Sequence, residues 1–187
     1  MNTNNTAAKQ NIKVFGSTKV LIAAALLAAM SMVLGKFAAI NVTNSIRIGF
    51  GGLPIQMAGI FFGPVIGGAV GLVADVIGCI LRGYSINPII TVGSTCIGLV
   101  SGFMFNHALG GMKKALLPKI ALSTVAAHIV GSMLITSFGL YVYYHTSTPQ
   151  LMMRVPIYLI TSACETAIIF LLMSNKVFVA ELEKLKK

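Results

Sequence analysis

Only four acidic residues occur among 187, and two of them, Asp75 and Glu165, lie inside apolar runs. An ionisable group in such surroundings is costly unless it faces a cavity or a partner, so each marks a place where something polar is held. Structural partners exist for both: Arg82 follows Asp75 by two helical turns, and Ser162 and Thr166 stand close to Glu165. The chain has three arginines, Arg47, Arg82 and Arg154. A guanidinium suits bidentate capture of carboxylate or phosphate. Isolated arginines at a membrane edge can simply snorkel, whereas three that converge form an anion-capturing mouth.

The other reactive residue types offer little. Cys79, Cys96 and Cys164 lie in apolar segments without C-x-x-C spacing and read as small buried hydrophobes. His128 sits mid-span, placed to bond another helix, while His107 and His145 fall near span ends. No histidine or cysteine pair has ligand spacing, so no metal is expected. G-x-S-x-G, Walker A and G-x-G-x-x-G sequences are absent, and the Gly51-Gly52 pair lacks a phosphate-loop context. With no nucleophile–base constellation the chain reads as a non-enzyme without cofactors.

The elements that hold these groups follow from composition. The chain is 56% hydrophobic and 10% charged, with a mean hydropathy of +0.88. Soluble domains carry about 25% charged residues; this one cannot coat a globule and must use lipid as solvent, with roughly 20 apolar residues per span. A single domain is expected, with no room for a separate nucleotide-binding domain. The net charge of +10 sits in short loops and at the two ends instead of forming a patch. It therefore sets membrane orientation, and nucleic acid is not expected as a partner. The polar, Asn-rich stretch from Met1 to Gly16 lacks a clean cleavage site and reads as a retained tail.

Apolar runs cover Val20 to Leu34, Leu53 to Leu81, Ile89 to Leu109, Leu117 to Tyr144 and Val155 to Val179. The second contains Gly63-Pro64, leaving a choice between five spans and six. Six spans put Lys9, Lys13, Lys19, Lys113, Lys114, Lys119, Lys176, Lys184, Lys186 and Lys187 on one side, against Lys36, Arg47, Arg82 and Arg154 on the other. Five spans split the charges nine to five and separate the basic tail from the Lys113-Lys114-Lys119 loop. The positive-inside rule selects six, with both termini cytoplasmic and all three arginines outside. The second helix, about Leu53 to Phe62, is then too short for the full bilayer. The expected organisation is a tail at 1–17, an all-α six-helix membrane bundle at 18–179 and a cytoplasmic tail at 180–187.

Two stretches are unusual for plain spans. Arg47-Ile48-Gly49-Phe50-Gly51-Gly52-Leu53-Pro54-Ile55 joins helices one and two, with glycines that let backbone approach a ligand and Pro54 suited to a first helical turn. Asp75-Val76-Ile77-Gly78 through Asn87-Pro88-Ile89-Ile90-Thr91 closes helix three and opens helix four. Irregular backbone at membrane depth is tolerated where protein or a cavity satisfies it, so both stretches are expected at one outer pocket. In helix one, Ala24, Ala25, Ala28 and Ala29 make two small-x-x-x-small pairs, a flat face for a partner helix or for internal packing.

These features resemble the substrate-binding S components of energy-coupling factor (ECF) vitamin transporters. The alanine pairs, the R-I-G-F-G-G-L-P-I stretch at 47–55 and F-G-P-x-x-G-x-x-x-G-x-x-x-D at 62–75 carry the likeness, which covers residues 18 to 178. The arginine-glycine-proline loop followed by the D-x-x-G helix is most similar to the folate-specific members. The loop before helix four departs from the family, with aliphatic Ile86-Asn87-Pro88-Ile89-Ile90 where an aromatic-proline pair is usual.

The resemblance implies a bacterial cytoplasmic-membrane subunit that binds its vitamin from outside. It would then join a transmembrane coupling protein and two ATPases, topple and release the vitamin inside. Ala24, Ala25, Ala28 and Ala29 match the family's docking face. Folate fits the residues: one carboxylate, Asp75 or Glu165, could accept the pterin's donor edge. Arg47, Arg82 or Arg154 could hold the glutamate tail, and Phe50, Tyr84 and Tyr158 could line the rings. The expected substrate site comprises Arg47, Gly49, Phe50, Gly51, Asp75, Arg82, Tyr84, Asn87, Arg154, Tyr158 and Glu165. The alternatives are S components for hydroxymethylpyrimidine, thiamin or riboflavin, and a stand-alone secondary transporter or channel. Cationic thiamin fits poorly with three outer arginines, and riboflavin has no carboxylate for them. The chain shows neither an internal repeat nor a polar stripe along one helix.

Overall fold

The computed structural model describes residues 17–37, 40–43, 46–111 and 115–186. Helix α1 (Thr18–Phe37) leads into strands β1 (Ile40–Thr43) and β2 (Ile46–Ile48), followed by α2 (Gly52–Phe62) and α3 (Pro64–Arg82). Helix α4 (Pro88–Phe103) continues as a π turn over Met104–Ala108. Helix α5 runs Leu116–Tyr144, α-helical at both ends and π-helical over His128–Thr136. Helices α6 (Thr148–Ser174) and α7 (Lys176–Lys186) complete the order.

Five of these, α1 and α3 to α6, are long and apolar enough to cross a membrane. Their outward faces carry Leu26, Leu134, Phe138 and Leu171, each at least 60% exposed, while Gln56, Ser101, Ser123, Thr124 and Glu165 are fully buried. Apolar outside and polar inside is what a lipid solvent selects. The break expected at Gly63-Pro64 is present. Gly63 takes φ 102°, its amide donates to Gly59 O at 3.0 Å, and Pro64 opens α3. Proline at a first helical turn gives up only a donor that has no intrahelical partner. Helix α2, with 11 residues, is about 16 Å long, roughly half a 30 Å hydrocarbon core. It is buried from Leu53 to Phe62, as a central peg rather than a span.

Glycines bring α2, α3 and α4 together. A Cβ at Gly98 would collide with the backbone carbonyl of Gly67, and one at Gly59 with that of Gly98. Only residues without side chains allow helices this near. Asn87 caps α4, its Oδ1 accepting from the Ile89 amide at 3.0 Å, and Pro88 occupies the first turn. Helix α7 lies across the far end of α2: its Phe178 ring meets Phe61 edge-on at 5.5 Å, and Leu182 and Leu185 also face the core.

Four elements differ from expectation. The loop between α1 and α2 contains a two-stranded antiparallel ribbon, with Ile40 opposite Ile48 and Asn41 opposite Arg47. Helix α6 starts at Thr148, two turns before Val155, because Pro149 at its first turn starts a helix as well as any residue. Arg154 is therefore on a helix and not in a loop. The last apolar run divides at Asn175, and the segment expected to be a tail is helical to Lys186. The π-helical stretch of α5 has no counterpart in the apolar pattern.

Candidate functional site

Arg154, Tyr158 and Glu165 share one face of α6. The acid follows the arginine by eleven positions, which is close to three whole turns and about 16 Å along the axis. At the deep end Glu165 is completely buried. Its neighbours in sequence do not serve it, contrary to the local satisfaction that the sequence suggested. Ser162 Oγ donates to Leu159 O at 2.9 Å, and Thr166 Oγ1 donates to Ser162 O at 2.7 Å and meets Thr124 Oγ1.

Glu165 Oε2 is instead held from two other helices. His128 Nε2, in the π-helical part of α5, lies 2.6 Å away, and Gln56 Nε2 of α2 donates to the same oxygen at 2.9 Å. The histidine's other nitrogen, Nδ1, sits 3.1 Å from Ser132 Oγ, four residues along α5. A π turn brings an extra residue onto one face of a helix and recurs at functional sites; here it lies where His128 and Ser132 point inward. Breaking one member of a buried charged contact strands the other, so the three side chains act as one unit.

Two buried acceptors in this unit receive no hydrogen bond: Glu165 Oε1 and Gln56 Oε1. Such atoms are rare in folded proteins because each costs about 1–3 kcal/mol. Gly52, at the start of α2, faces the first of them. A Cβ there would lie 3.2 Å from Glu165 Oε1 and 3.4 Å from His128 Cε1.

The network continues along α6. The Tyr158 ring packs on the His128 ring at 5.2 Å, and its hydroxyl accepts from Arg154 Nη2 at 2.8 Å. Arg154 Nη1 is buried and, like the two acceptors, has no partner. The unit therefore offers acceptors at one end, an aromatic face in the middle and an arginine with one unpartnered nitrogen at the other. Strand β2, which carries Arg47, packs beside α6, while the Arg47 side chain lies outside the described residues. Gly49 and Phe50 are half-buried between the ribbon and α2. Gly51 is held against α1, its carbonyl accepting from Ser31 Oγ at 2.6 Å.

The remaining candidates form a second group. Asp75, Arg82, Tyr84 and Asn87 line a cavity of about 810 Å³ where α3 ends and α4 begins, opposite Tyr143 and Tyr144 of α5. Both Asp75 oxygens are engaged by α4, Oδ2 by Thr91 Oγ1 at 2.7 Å and Oδ1 by Ser94 Oγ at 3.3 Å. Among the described residues no ion pair joins Asp75 to Arg82. The Arg82 guanidinium lies against Gly35 near the end of α1, where a Cβ would come within 2.8 Å of Nη2. Cations are favourable beside the last carbonyls of a helix. The single pocket expected from sequence is thus two neighbourhoods, one with unsatisfied groups and one whose acid has a donor on each oxygen.

The alanines of α1 divide likewise. Ala28 is buried and Ala24 half-buried against the core, whereas Ala25 and Ala29 are exposed. Gln56 escaped the sequence reading, although a polar residue within the apolar run Leu53 to Phe62 was a signal of the same kind as Asp75. His128 does bond another helix, as its mid-span place suggested, and it does so from the heart of this site.

Residues 15–180 match the family model described as the ECF-type riboflavin transporter, S component. The folate transporter FolT of Clostridium novyi (strain NT) is 33% identical over 100 residues, 52% of this chain. The match spans 57% of that relative's length. A crystal structure of FolT bound with folic acid superposes with a TM-score of 0.66 at 23% identity, over 82% of this chain and 91% of that one. The S component of a bacterial ECF transporter gives 0.65 at 20% identity, over 83% and 94%. At these identities the structural likeness concerns the fold.

Proposed function

Since this chain belongs to the ECF-type riboflavin transporter S component family, and is a multi-pass membrane protein within it, we propose that it captures folate outside the cell for ATP-driven uptake. The observation that carries the choice of folate is the buried unit on α6: two acceptors without donors at one end and an arginine with a free Nη1 at the other. A pterin ring presents adjacent N–H donors, and the glutamate tail of folate presents carboxylates more than ten ångströms away. Arg154 and Glu165 stand about three turns apart on α6 with Tyr158 and His128 between their polar ends, so a ligand touching both must extend along this face.

In this reading Glu165, not Asp75, meets the pterin, because Asp75 has no free oxygen. Tyr158 and Phe50 line the aromatic part, and Arg154 with Arg47 holds the tail through charge-assisted bonds. The ribbon end of the bundle faces outward and both termini face the cytoplasm. Gly49 and Gly51 shape the cover above the ligand. Asp75 and Asn87 fix α3 to α4, and Arg82 and Tyr84 form the outer rim.

Energy comes from a transmembrane coupling protein and two ATPases. The exposed Ala25–Ala29 pair is the face offered to the coupling protein, supported by its small side chains. Ala24 and Ala28 contribute only by letting α1 sit close to its own bundle.

Riboflavin is the second reading, favoured by the description of the family model. Its ring edge carries one N–H between two carbonyls, which would set oxygen against Glu165 or Gln56, and it has no carboxylate for the arginines. Uptake of labelled folate by cells expressing the chain with an energising module tests the proposal. Accumulation that depends on the ATPases and is not diminished by excess riboflavin is expected. Uptake by the chain alone, or of riboflavin instead, would overturn it.

A further inference from the structure

Gln56 has no role in the sequence pattern, yet it is fully buried and lies at the centre of the unit. Its amide orientation is set against Glu165, with Nε2 also 3.0 Å from His128 Nε2. Nε2 donates to Glu165 Oε2 at 2.9 Å; turning the amide over would place two acceptor oxygens at that distance. Oε1 must therefore point away from Glu165 Oε2 as an acceptor, and it receives nothing. Glu165 Oε1 is in the same condition. Each orphan shares its carbon with one atom of the Gln56–Glu165 hydrogen bond, so both lie in one neighbourhood, with Gly52 beside Glu165 Oε1.

We infer that Gln56 is a specificity-determining residue: its Oε1 and Glu165 Oε1 together read two adjacent N–H donors on the ligand ring. This inference rests on the folate reading and extends it. A carboxylate alone could accept both donors, but Oε2 is already occupied by His128 and Gln56. One oxygen remains for one donor, and the second donor falls to the glutamine. Glu165 Oε1, the carboxyl acceptor, takes the ring N–H, and Gln56 Oε1 takes the exocyclic 2-amino group. The site therefore discriminates at the 2-position of the ring, rejecting ligands that carry a methyl or an oxygen there. A site built to hydrogen-bond a donor rejects the analogue lacking it, because its own buried group is then left unpaired.

The test is a two-by-two cycle of calorimetric binding constants. The ligands are folate and its 2-desamino-2-methyl analogue, which keeps the ring N–H; the proteins are the wild-type chain and Gln56→Leu in detergent. The wild type should bind the analogue at least about tenfold more weakly than folate. Gln56→Leu should bind folate about tenfold more weakly and bind the two ligands within about threefold of each other, the signature of a direct contact. An analogue penalty of the same size in both proteins would overturn the inference. Equal binding of both ligands by the wild type overturns it without any variant, and Gln56→Met replaces the leucine variant if that one unfolds. Failure of the wild type to bind folate at all overturns the folate reading, a result distinct from tight binding of both ligands.

Discussion

Gly52→Ala adds one methyl group and removes nothing, so its consequences can be worked from contacts. Gly52 is not among the glycines with positive φ, so its backbone accepts a side chain. Alanine is better than glycine inside a helix by about 0.5–1 kcal/mol. The new Cβ would sit 3.2 Å from Glu165 Oε1 and 3.4 Å from His128 Cε1, which demands shifts of a few tenths of an ångström. These terms oppose each other, and the unfolding midpoint should hardly move. Binding should respond differently. An N–H donor must come within about 3 Å of Glu165 Oε1, into the space beside that oxygen where the methyl now stands. Losing one hydrogen bond to a charged group costs about 1.5–3 kcal/mol, a folate Kd raised roughly 10- to 150-fold. Calorimetry and thermal melting of the same preparation read both quantities. An unchanged Kd with the methyl in place would refute the assignment of Glu165 Oε1 as the ligand's acceptor.

Three further outcomes follow from the same geometry. Arg154→Met keeps the aliphatic stem but removes the cation; it should weaken folate binding by about tenfold or more, measured by calorimetry. A folate lacking its glutamate tail should bind the variant and the wild type alike. Asp75→Asn disturbs hydrogen bonds from Thr91 and Ser94; it should cost about 1–2 kcal/mol of stability in a thermal melt, with folate affinity within about threefold of the wild type. Ala25→Leu combined with Ala29→Leu enlarges the exposed face of α1; folate binding by the isolated chain should persist while uptake with the energising module falls severalfold.

Much of the architecture was legible because lipid imposes simple rules. Composition, apolar run length and lysine placement fixed a helical membrane bundle, and Gly63-Pro64 marked where a long run must divide. Asp75 and Glu165 stood out because charge is expensive among apolar residues. The rest needed three dimensions. Pro149 signalled an earlier start for α6, and Ile46-Arg47-Ile48 alternated like a strand, but both segments are too short to outweigh their surroundings. The π turns of α5 depend on packing against α4, where Gly131 meets Gly93 and Ile97, so local sequence does not announce them. Sequence also could not say which acid keeps a free oxygen. That depends on Thr91 and Ser94 engaging Asp75 from the next helix, while His128 and Gln56 together occupy only one side of Glu165.

The central claim is that the isolated chain recognises folate. Isothermal titration calorimetry of the detergent-purified protein, which has no tryptophan to report binding by fluorescence, tests it most directly. One-to-one folate binding that Glu165→Gln weakens by tenfold or more, with riboflavin silent, is the predicted result. Heat from riboflavin with none from folate would contradict the account.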